Sequence, residues 1–298
     1  MATKKRIGFE DIQRRFGTEA ACREYLIQLR WPDGFVCPVC GCKDHYLISG
    51  RHKYQCKSCR YQASVTAGTV MDRSHLSLKT WMWAIYLVAR DKRGYSAMQL
   101  SRVLNLPYDT AWFLLHRIRH AMAERDSRYL LKGIVELDDT YLGRPKKGRK
   151  RGRGTTKTKV VVAISKDEDG KPQYAKMQVV PDLKGKTIGK FAKSYIEEGS
   201  VVQTDAYRSY RNPLTEKYLH EHQIFDAESD MLKWLHTITG NAKAFISGTF
   251  HGLGRKHMQS YLDEYCYRFN RRYLGADIFS RLLLAVTRSS ILRYADLT

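Results

Sequence analysis

Apolar residues recur along this chain with two different periods, and the change of period separates helical from strand-forming parts. Helical spacing, with apolar residues three or four positions apart, extends over residues 9–30 and again over 78–122. Trp31-Pro32 ends the first stretch, because the residue before a proline disfavours helical backbone. From Gly133 onward the period falls to two, which indicates β-strands. The pattern therefore predicts a helical N-terminal part followed by a sheet.

The central part of the chain predicts four strands and one helix. Residues 133–142, GIVELDDTYL, alternate so that Glu136 and Asp138 share one face. The β-branched run 159–165, KVVVAIS, is typical of a buried strand. Apolar spacing then predicts a third strand, a helix and a fourth strand, at 174–180, 184–198 and 200–204. The fourth strand delivers Asp205, and this order of elements is that of an RNase H-like domain.

The second helical stretch is interrupted in a way that predicts a helix-turn-helix. Ser96 and Gln99 have capping-box spacing at the start of one helix, and a break at residues 105–107 precedes another. The second of these helices, with Asp109 or Thr110 as its predicted N-cap, carries Arg117 and Arg119 as candidate DNA contacts in a major groove. A small helical bundle without DNA-binding function would give the same pattern.

The chain contains seven cysteines, and four of them form two Cys-x-x-Cys pairs separated by fifteen residues: Cys37, Cys40, Cys56 and Cys59. This is the spacing of a zinc ribbon, in which each pair presents two thiolates to one ion. Residues 45–48 and 53–55 predict a small hairpin between the pairs, turning at Ser49-Gly50. Disulfide bonds are the alternative, although a reducing cytosol disfavours them. We therefore predict structural Zn²⁺, whose binding supplies folding energy that so small a segment cannot obtain from a core.

Charge and hydropathy narrow the class of partner. The 298 residues include 52 Lys plus Arg against 30 Asp plus Glu, a formal charge of +22 that attracts phosphate backbones or anionic membrane surfaces. The longest apolar stretch, residues 81–89, is shorter than the roughly 20 residues that span a bilayer, and the N-terminus lacks a signal-peptide pattern. We predict a cytoplasmic protein, associated with the nucleoid when it binds DNA, with nucleic acid as its partner and no membrane.

Two acids at strand ends are the candidate chemistry of this basic chain. Asp138 and Asp205 each follow an apolar strand-forming run. Mg²⁺ prefers hard oxygen ligands, and carboxylates on neighbouring strands can hold metal at the attacking and leaving oxygens of a phosphodiester. The pair therefore indicates metal-assisted phosphoryl transfer. Alternatively, both are turn residues, since Asp is common in turns.

A basic run without acids follows the first of these strands. Residues 144–159, RPKKGRKRGRGTTKTK, contain nine basic residues and predict a flexible loop or hairpin that folds onto phosphate. A merely solvated charge run is the alternative. The candidate DNA-binding residues of the run are Lys146, Lys147, Arg149, Lys150, Arg151 and Arg153.

A set of motifs in fixed order gives the chain a family resemblance. The motifs are CPVC, CKSC, SVTAGTVMDRSHLSLKTW, VELDDTYLG, TDAYRSY, HTITGNAKAFISGTFHG and YLDEYCYRFNRR. In this order the chain resembles the zinc-ribbon DDE-type insertion-sequence transposases of bacteria and archaea over nearly its whole length. The resemblance implies an N-terminal half that binds terminal inverted repeats. It also implies an RNase H-like catalytic half that uses Mg²⁺ or Mn²⁺ to nick DNA and join 3′-hydroxyl ends to target DNA.

The resemblance assigns roles to individual residues. Asp138 matches the first acidic position of the family, and Asp205 matches the second, in the motif TD-x-x-x-x-Y. At the third position, where many relatives carry Glu, the chain has Asn241, with Lys243 as the candidate for the lysine that follows it. An amide carbonyl can bind Mg²⁺ but brings no negative charge.

Alternatives remain open around the third position. Asn241 could instead, or in addition, cap a helix that begins after Gly240. Glu264 could complete the metal site, and Lys256 could be the family's lysine. Further acids lie between the second and third positions: Asp226, Glu228 and Asp230.

Together these patterns predict a multi-domain α/β protein. Its predicted parts are an N-terminal helical segment at 1–35, a zinc ribbon at 36–66, a helix-turn-helix domain at 67–130 and an RNase H-like mixed-sheet catalytic domain with C-terminal helices at 131–298. The predicted partners are double-stranded DNA, as terminal repeats and target, and further copies of the chain, as a homodimer or higher oligomer that holds two element ends. A catalytically inactive or domesticated DNA-binding regulator and an RNase H-like nuclease are the rival functions to a DNA transposase.

Overall fold

Side-chain hydroxyls fix where helices of the N-terminal part begin. In the computed structural model, which describes residues 8–143, 155–223, 232–251 and 253–298, three hydroxyls each accept a hydrogen bond of 3.1 Å from the backbone N–H three residues on. These hydroxyls belong to Thr18, Ser77 and Ser96, and they act as N-caps. The cap predicted at Ser96 is thereby confirmed.

Contacts between residues divide the chain into two units. One comprises residues up to Arg125 together with Tyr273–Thr298, and the other comprises Asp126–Arg272. The predicted boundaries at 35, 66 and 130 remain predictions. The α-helices in residues 8–126 are α1 (Phe9–Arg15), α2 (Glu19–Arg30), α3 (Leu78–Arg90), α4 (Ala97–Leu104) and α5 (Tyr108–Asp126). No helix among the described residues is long and apolar enough to cross a membrane.

The connection between α4 and α5 is short. Asn105 ends α4 in the left-handed region at φ 49°, a conformation that Asn tolerates better than most residues. The α5 helix begins at Tyr108, and the Ala111 N–H bonds the Pro107 carbonyl at 3.0 Å. Asp109 and Thr110 therefore lie in its first turn, and the predicted N-cap at one of them is wrong. Helix, short connection and helix thus follow in the predicted order, and their role as a DNA-binding helix-turn-helix stays a prediction.

The zinc ribbon is a small antiparallel sheet. Its strands are β1 (His45–Ile48), β2 (Lys53–Cys56) and β3 (Gln62–Ala63), in that spatial order. A short 3₁₀ turn, Ser49–Arg51, joins β1 to β2. The predicted hairpin and its turn are confirmed.

The second unit is built on a five-stranded mixed sheet. Its elements are β4 (Ile134–Leu142), β5 (Thr158–Lys166), β6 (Pro172–Val180), α6 (Gly185–Tyr195), β7 (Val201–Asp205), α7 (Arg208–Thr215), β8 (Leu219–Gln223), α8 (Lys233–Phe250) and α9 (Met258–Phe269). The spatial order is β6-β5-β4-β7-β8, with β4, β5 and β6 antiparallel and β4, β7 and β8 parallel. This is the RNase H-like arrangement that the sequence predicts.

Helices cover both faces of this sheet. One apolar cluster joins β5 and β6 to α8 and α9, and a second cluster on the opposite face joins β4 and β5 to α6 and α7. Because β5 contributes to both clusters, its near-continuous apolar run is buried on both sides. Strand β8 was not predicted, since its sequence LHEHQ is polar and largely exposed.

The C-terminal helix corrects one expectation. We predicted that the C-terminal helices flank the catalytic sheet, and α9 does pack against β6. In contrast, α10 (Ile278–Arg288) contacts α2 and α3 in the first unit. The centre of the Phe279 ring lies 5.8 Å from the ring centre of Phe16 and 6.2 Å from that of Tyr86. Apolar spacing predicts that a helix has a buried face but does not identify the surface that covers it.

Candidate functional site

The four ribbon cysteines converge on one point. Their sulfur atoms lie within 4.8 Å of one another, and the sulfur pairs Cys37–Cys59 and Cys40–Cys56 are each 3.5 Å apart. These separations far exceed the roughly 2.05 Å of a disulfide bond, and all four thiols are free. The geometry is that of a tetrahedral thiolate site for structural Zn²⁺.

Local backbone geometry explains this convergence. Gly41 adopts φ 73° as its N–H bonds the Cys37 carbonyl at 2.9 Å, and Arg60 adopts φ 62° as its N–H bonds the Cys56 carbonyl at 3.1 Å. Each Cys-x-x-Cys pair is therefore folded back by a left-handed residue. The backbone N–H of Cys59 lowers the pKa of the Cys56 thiol to about 6, which favours the thiolate that zinc binds.

The parallel pairing of β4 and β7 brings the two predicted catalytic aspartates to the same level. Ile134 pairs with Val201 and Glu136 with Gln203. Continuing this register by two residues sets Asp138 beside Asp205, and both side chains are half-buried. Burial raises the pKa of Asp138 to about 7, and the negative charges of Asp139 and Asp205 add to the rise. Like charges are thus crowded at this end of the sheet.

Donors from β4 and the start of α7 orient these carboxylates. The Asp138 Oδ1 atom accepts hydrogen bonds from the Asp139 N–H at 2.7 Å and from the Tyr210 hydroxyl at 3.4 Å. The same hydroxyl lies 3.2 Å from Asp139 Oδ1, and the Tyr207 N–H donates to Asp205 Oδ1 at 3.1 Å. No role for Tyr210 or Asp139 was predicted from the sequence. The signal was present in the spacing TD-x-x-x-x-Y, which places this tyrosine in the first turn of the helix after β7.

The α8 helix carries the predicted third ligand and the predicted lysine. Asn241 and Lys243 are both exposed and lie outside the apolar face of α8 that packs against the sheet. Two residues along an α-helix correspond to about 200° of rotation, so the two side chains leave α8 on different sides. Asn241 lies in the middle of the helix, so its alternative role as an N-cap is wrong. Among the described residues no hydrogen bond joins Asn241 to either aspartate. Its role as third ligand, and that of Lys243, remain predictions.

A buried carboxylate from β4 performs the capping role instead. Glu136 Oε2 accepts a hydrogen bond of 2.8 Å from the Leu235 N–H in the first turn of α8. Its other oxygen lies 3.2 Å from the Lys166 ammonium. Because Glu136 is two residues before Asp138 on the same face of β4, the start of α8 is fixed relative to the candidate site.

The alternative ligand Glu264 is already engaged. It is buried in α9 and accepts hydrogen bonds of 2.9 Å and 2.7 Å from the Arg268 guanidinium. A buried carboxylate held by two charge-assisted bonds would have to break an ion pair to bind metal. Lys256, the alternative lysine, lies in a short 3₁₀ turn before α9. The acids Asp226, Glu228 and Asp230 lie outside the described residues.

The predicted DNA contacts of α5 require a correction. Arg117 and Arg119 are both buried in the structure. The Arg117 guanidinium donates to the Asp72 carbonyl at 3.2 Å and stacks 4.4 Å from the Phe113 ring centre, while Arg119 approaches the Tyr95 carbonyl at 3.5 Å. These side chains satisfy backbone carbonyls rather than face solvent. The other predicted contacts, in the basic run 144–154, lie outside the described residues.

Two segments of the chain match models of known protein families. Residues 130–270 match the family model of the ISXO2-like transposase domain, and residues 17–62 match that of the transposase zinc-ribbon domain. An uncharacterised protein of the transposable element ISH50 from Halobacterium salinarum is 29% identical over 224 residues, which cover 68% of this chain and 72% of that protein.

Similar solved structures include two complexes of the Mos1 transposase. The strand transfer complex is 14% identical, with a TM-score of 0.29 over 72% of this chain and 78% of that chain. The mariner paired end complex with Mn is 12% identical, with a TM-score of 0.28 over 65% of this chain and 72% of that chain. These TM-scores are too low to support a conclusion about this chain.

Proposed function

We propose that this chain, which belongs to the family of zinc-ribbon transposases with an ISXO2-like transposase domain, is an active, metal-dependent DNA transposase of an insertion sequence. It would bind the terminal inverted repeats of its element, cut DNA at those ends and join the resulting 3′-hydroxyl groups to target DNA. The observation that carries the catalytic part of this proposal is the register of the adjoining parallel strands β4 and β7. Glu136 pairs with Gln203 two residues before Asp138 and Asp205, and the charge of Asp205 acts on Asp138.

The electrostatics of this pair fit a divalent cation. Burial and two neighbouring carboxylates raise the pKa of Asp138 to about 7, and no described residue forms an ion pair with Asp138. A cation at this point would relieve the repulsion and lower that pKa, because an opposite charge favours the ionised form. Mg²⁺ or Mn²⁺, with their preference for carboxylate oxygen, suit these ligands.

Each residue of the site has a defined task in the proposed reaction. Asp138 and Asp205 would hold the metal, and the amide oxygen of Asn241 would complete its protein ligands. Bound divalent metal would supply electrostatic stabilisation to the attacking and leaving oxygens. Lys243 would present a positive charge to the DNA phosphate, and the Tyr207 N–H, 3.1 Å from Asp205 Oδ1, would keep that carboxylate oriented.

The bonds in the proposed reaction balance in two displacements. In the first, water attacks a phosphodiester at the element end, so that a 3′-hydroxyl and a 5′-phosphate are released. In the second, that hydroxyl attacks a target phosphodiester, and one new phosphodiester forms as one target bond breaks. The number of phosphodiester bonds is unchanged in the second step, so it needs no external energy source.

DNA cleavage by carboxylate variants tests the proposal. The substrate is linear DNA carrying the inverted repeats that flank this reading frame, incubated with Mg²⁺ or with chelator. We expect Asp138→Asn and Asp205→Asn to bind the repeats with unchanged affinity but to lose cleavage by at least about a hundredfold, as is typical when a group that acts in the transition state is removed. Asp169→Asn is the matched control, because Asp169 lies in an exposed turn of the same sheet with a side chain 75% exposed.

The outcomes separate the rival functions. An Asp138→Asn protein that still cleaves DNA with Mg²⁺ would refute the catalytic role of Asp138. A wild-type chain that binds the repeats but never cleaves them would be a DNA-binding regulator. Cleavage without joined target products would favour an RNase H-like nuclease. Products joined to target DNA with the wild-type protein, but not with the carboxylate variants, would support the transposase.

Zinc and oligomeric state complete the proposal. The cysteine geometry and the family of the ribbon support structural Zn²⁺. We propose double-stranded DNA as the partner of the whole chain, through the ribbon, the α4–α5 region and the basic run 144–159. A homodimer or higher oligomer would hold two element ends together, and sedimentation of the chain with and without repeat DNA would test this.

A further inference from the structure

Tyr210 places a hydroxyl group between two carboxylates in the interior of the second unit. Its side chain is fully buried in the apolar cluster beneath α6 and α7. The hydroxyl lies 3.2 Å from Asp139 Oδ1 and 3.4 Å from Asp138 Oδ1. Since a phenol has one proton, the two carboxylates share one donor. The ring fills apolar space, and the hydroxyl alone reaches the candidate metal site.

Within the described part of the chain, both hydrogen bonds that the Asp138 side chain accepts are on one oxygen. Both the Tyr210 hydroxyl and the Asp139 N–H donate to Oδ1. Two donors on Oδ1 fix the rotation of this carboxylate about its χ2 bond and leave Oδ2 as the oxygen that can bind metal. Groups that orient a ligand in this way commonly alter metal affinity by about 10- to 100-fold when they are removed.

Tyr218 shows that the same core does not require a tyrosine hydroxyl to have a partner. It belongs to the same apolar cluster and is buried, yet its hydroxyl has no hydrogen-bond partner among the described residues. The difference between Tyr210 and Tyr218 is therefore the carboxylate pair, not the apolar packing of the ring. The two residues form a matched pair for substitution.

We propose that Tyr210 is a positioning residue of the catalytic site: its hydroxyl holds Asp138 so that Oδ2 is presented as the metal ligand. This inference rests on the proposed function, because it assigns Asp138 to metal binding. This role explains why a tyrosine stands five residues after Asp205 in TD-x-x-x-x-Y. Asp205 ends β7, and five residues further the chain has turned into α7 and returned a hydroxyl to the neighbouring strand β4.

Metal binding by the full-length, zinc-loaded chain tests this assignment. Mn²⁺ affinity is measured by electron paramagnetic resonance of free Mn²⁺, and the Mn²⁺ concentration at half-maximal cleavage is measured on repeat DNA. We expect Tyr210→Phe to raise both the Mn²⁺ dissociation constant and the half-maximal concentration about 10- to 100-fold. Cleavage at saturating Mn²⁺, the melting temperature and repeat binding should stay near wild-type values. Tyr218→Phe should change none of these quantities.

A second variant keeps the test decisive if Tyr210→Phe folds poorly. Substitution of Tyr210 by 4-fluorophenylalanine, introduced by amber suppression, fills the volume of the hydroxyl without donating a proton, and the same loss of Mn²⁺ affinity is expected. Unchanged Mn²⁺ affinity in either folded variant, or an equal loss in Tyr218→Phe, would overturn the assignment. Failure of the proposed function looks different: the wild-type chain itself would then show no cleavage and no Mn²⁺ binding that depends on Asp138.

Discussion

The buried carboxylate of Glu136 should control the stability of α8, the helix that carries Asn241 and Lys243. Glu136 is 1% exposed, accepts the Leu235 N–H at 2.8 Å and lies 3.2 Å from the Lys166 ammonium. We expect Glu136→Ala to loosen the first turns of α8 and Glu136→Gln to have a smaller effect. The amide of Gln can still accept the Leu235 hydrogen bond but cannot neutralise Lys166.

The expected loss in the free energy of unfolding follows from the hydrogen bonds and ion pair that each substitution removes. Removing one member of a buried ion pair costs about 3–5 kcal/mol, because the other charge is left buried without compensation. Lys166 also donates to Gln203 Oε1 at 2.7 Å, which offsets part of the loss. We therefore expect about 3 kcal/mol for Glu136→Ala, at the lower end of that range. For Glu136→Gln we expect about 1–2 kcal/mol, because the amide oxygen can still accept hydrogen bonds although Lys166 loses the opposite charge.

Hydrogen exchange followed by mass spectrometry measures this effect on α8 directly. If the helix opens locally, a cost of about 3 kcal/mol accelerates exchange of the amides around Leu235 by roughly 100-fold, since about 1.4 kcal/mol corresponds to a factor of ten. Peptides of the zinc ribbon should exchange at wild-type rates in the same sample. Lys166→Met combined with Glu136→Gln should recover part of the loss, because the uncompensated charge is then absent.

The matched control is Glu221→Gln. Glu221 accepts a hydrogen bond of 3.0 Å from Gln203, at the exposed end of the same polar chain. Because that carboxylate is solvated, its neutralisation should leave α8 exchange unchanged. The reasoning is refuted if Glu136→Ala leaves exchange around Leu235 at the wild-type rate, or if Glu221→Gln accelerates it equally.

Two further predictions concern metal and pH. Removal of Zn²⁺ by a chelator should expose residues 36–66 to protease while peptides of the five-stranded sheet stay resistant, because the ribbon depends on metal for its fold; equal resistance with and without chelator would contradict this. Burial raises the pKa of Asp263 to about 7, so the folded chain retains a proton that the unfolded chain loses near pH 4. That contribution to stability is present below about pH 4 and disappears as the pH rises through 7. The amide of Asp263→Asn can still accept the Gln259 hydrogen bond of 2.8 Å. The free energy of unfolding of this variant, measured in urea, should therefore fall less than that of wild type between pH 5 and pH 8. Identical pH dependence in the two proteins would disprove the prediction.

The sheet was predictable because its strands carry the signals that burial requires. The β-branched run of β5 and the alternation of β4 predict the central strands, and the strand-end aspartates follow from them. Strand β8 could not be found in this way, since an exposed edge strand needs no apolar residues. Its place in the sheet is set by backbone pairing with β7, including Val202 opposite His220 and Thr204 opposite His222.

Residue type predicted the wrong environment for the basic residues of α5. Arginine is usually exposed, so its presence on a predicted recognition helix favoured DNA contact. The structure buries Arg117 and Arg119 because backbone carbonyls of Asp72 and Tyr95 lie within reach of their guanidinium groups. Those carbonyls come from segments distant in sequence, and no local pattern encodes their approach. The zinc site was predictable for the opposite reason, since each pair of its ligands is only three residues apart.

Acidic residues at the ends of β4 and β7 explain how the proposed site could bind metal with a neutral third ligand. Asp139 raises the pKa of Asp138 more than Asp205 does, so its charge acts at the site although the sequence assigned it no role. In a half-buried site a carboxylate acts through space on a cation without direct contact. We infer that Asp138, Asp139 and Asp205 together supply the negative charge that an amide at Asn241 lacks. In the proposed site, the Tyr210 hydroxyl would keep Asp138 directed at the metal while Asp139 contributes negative charge.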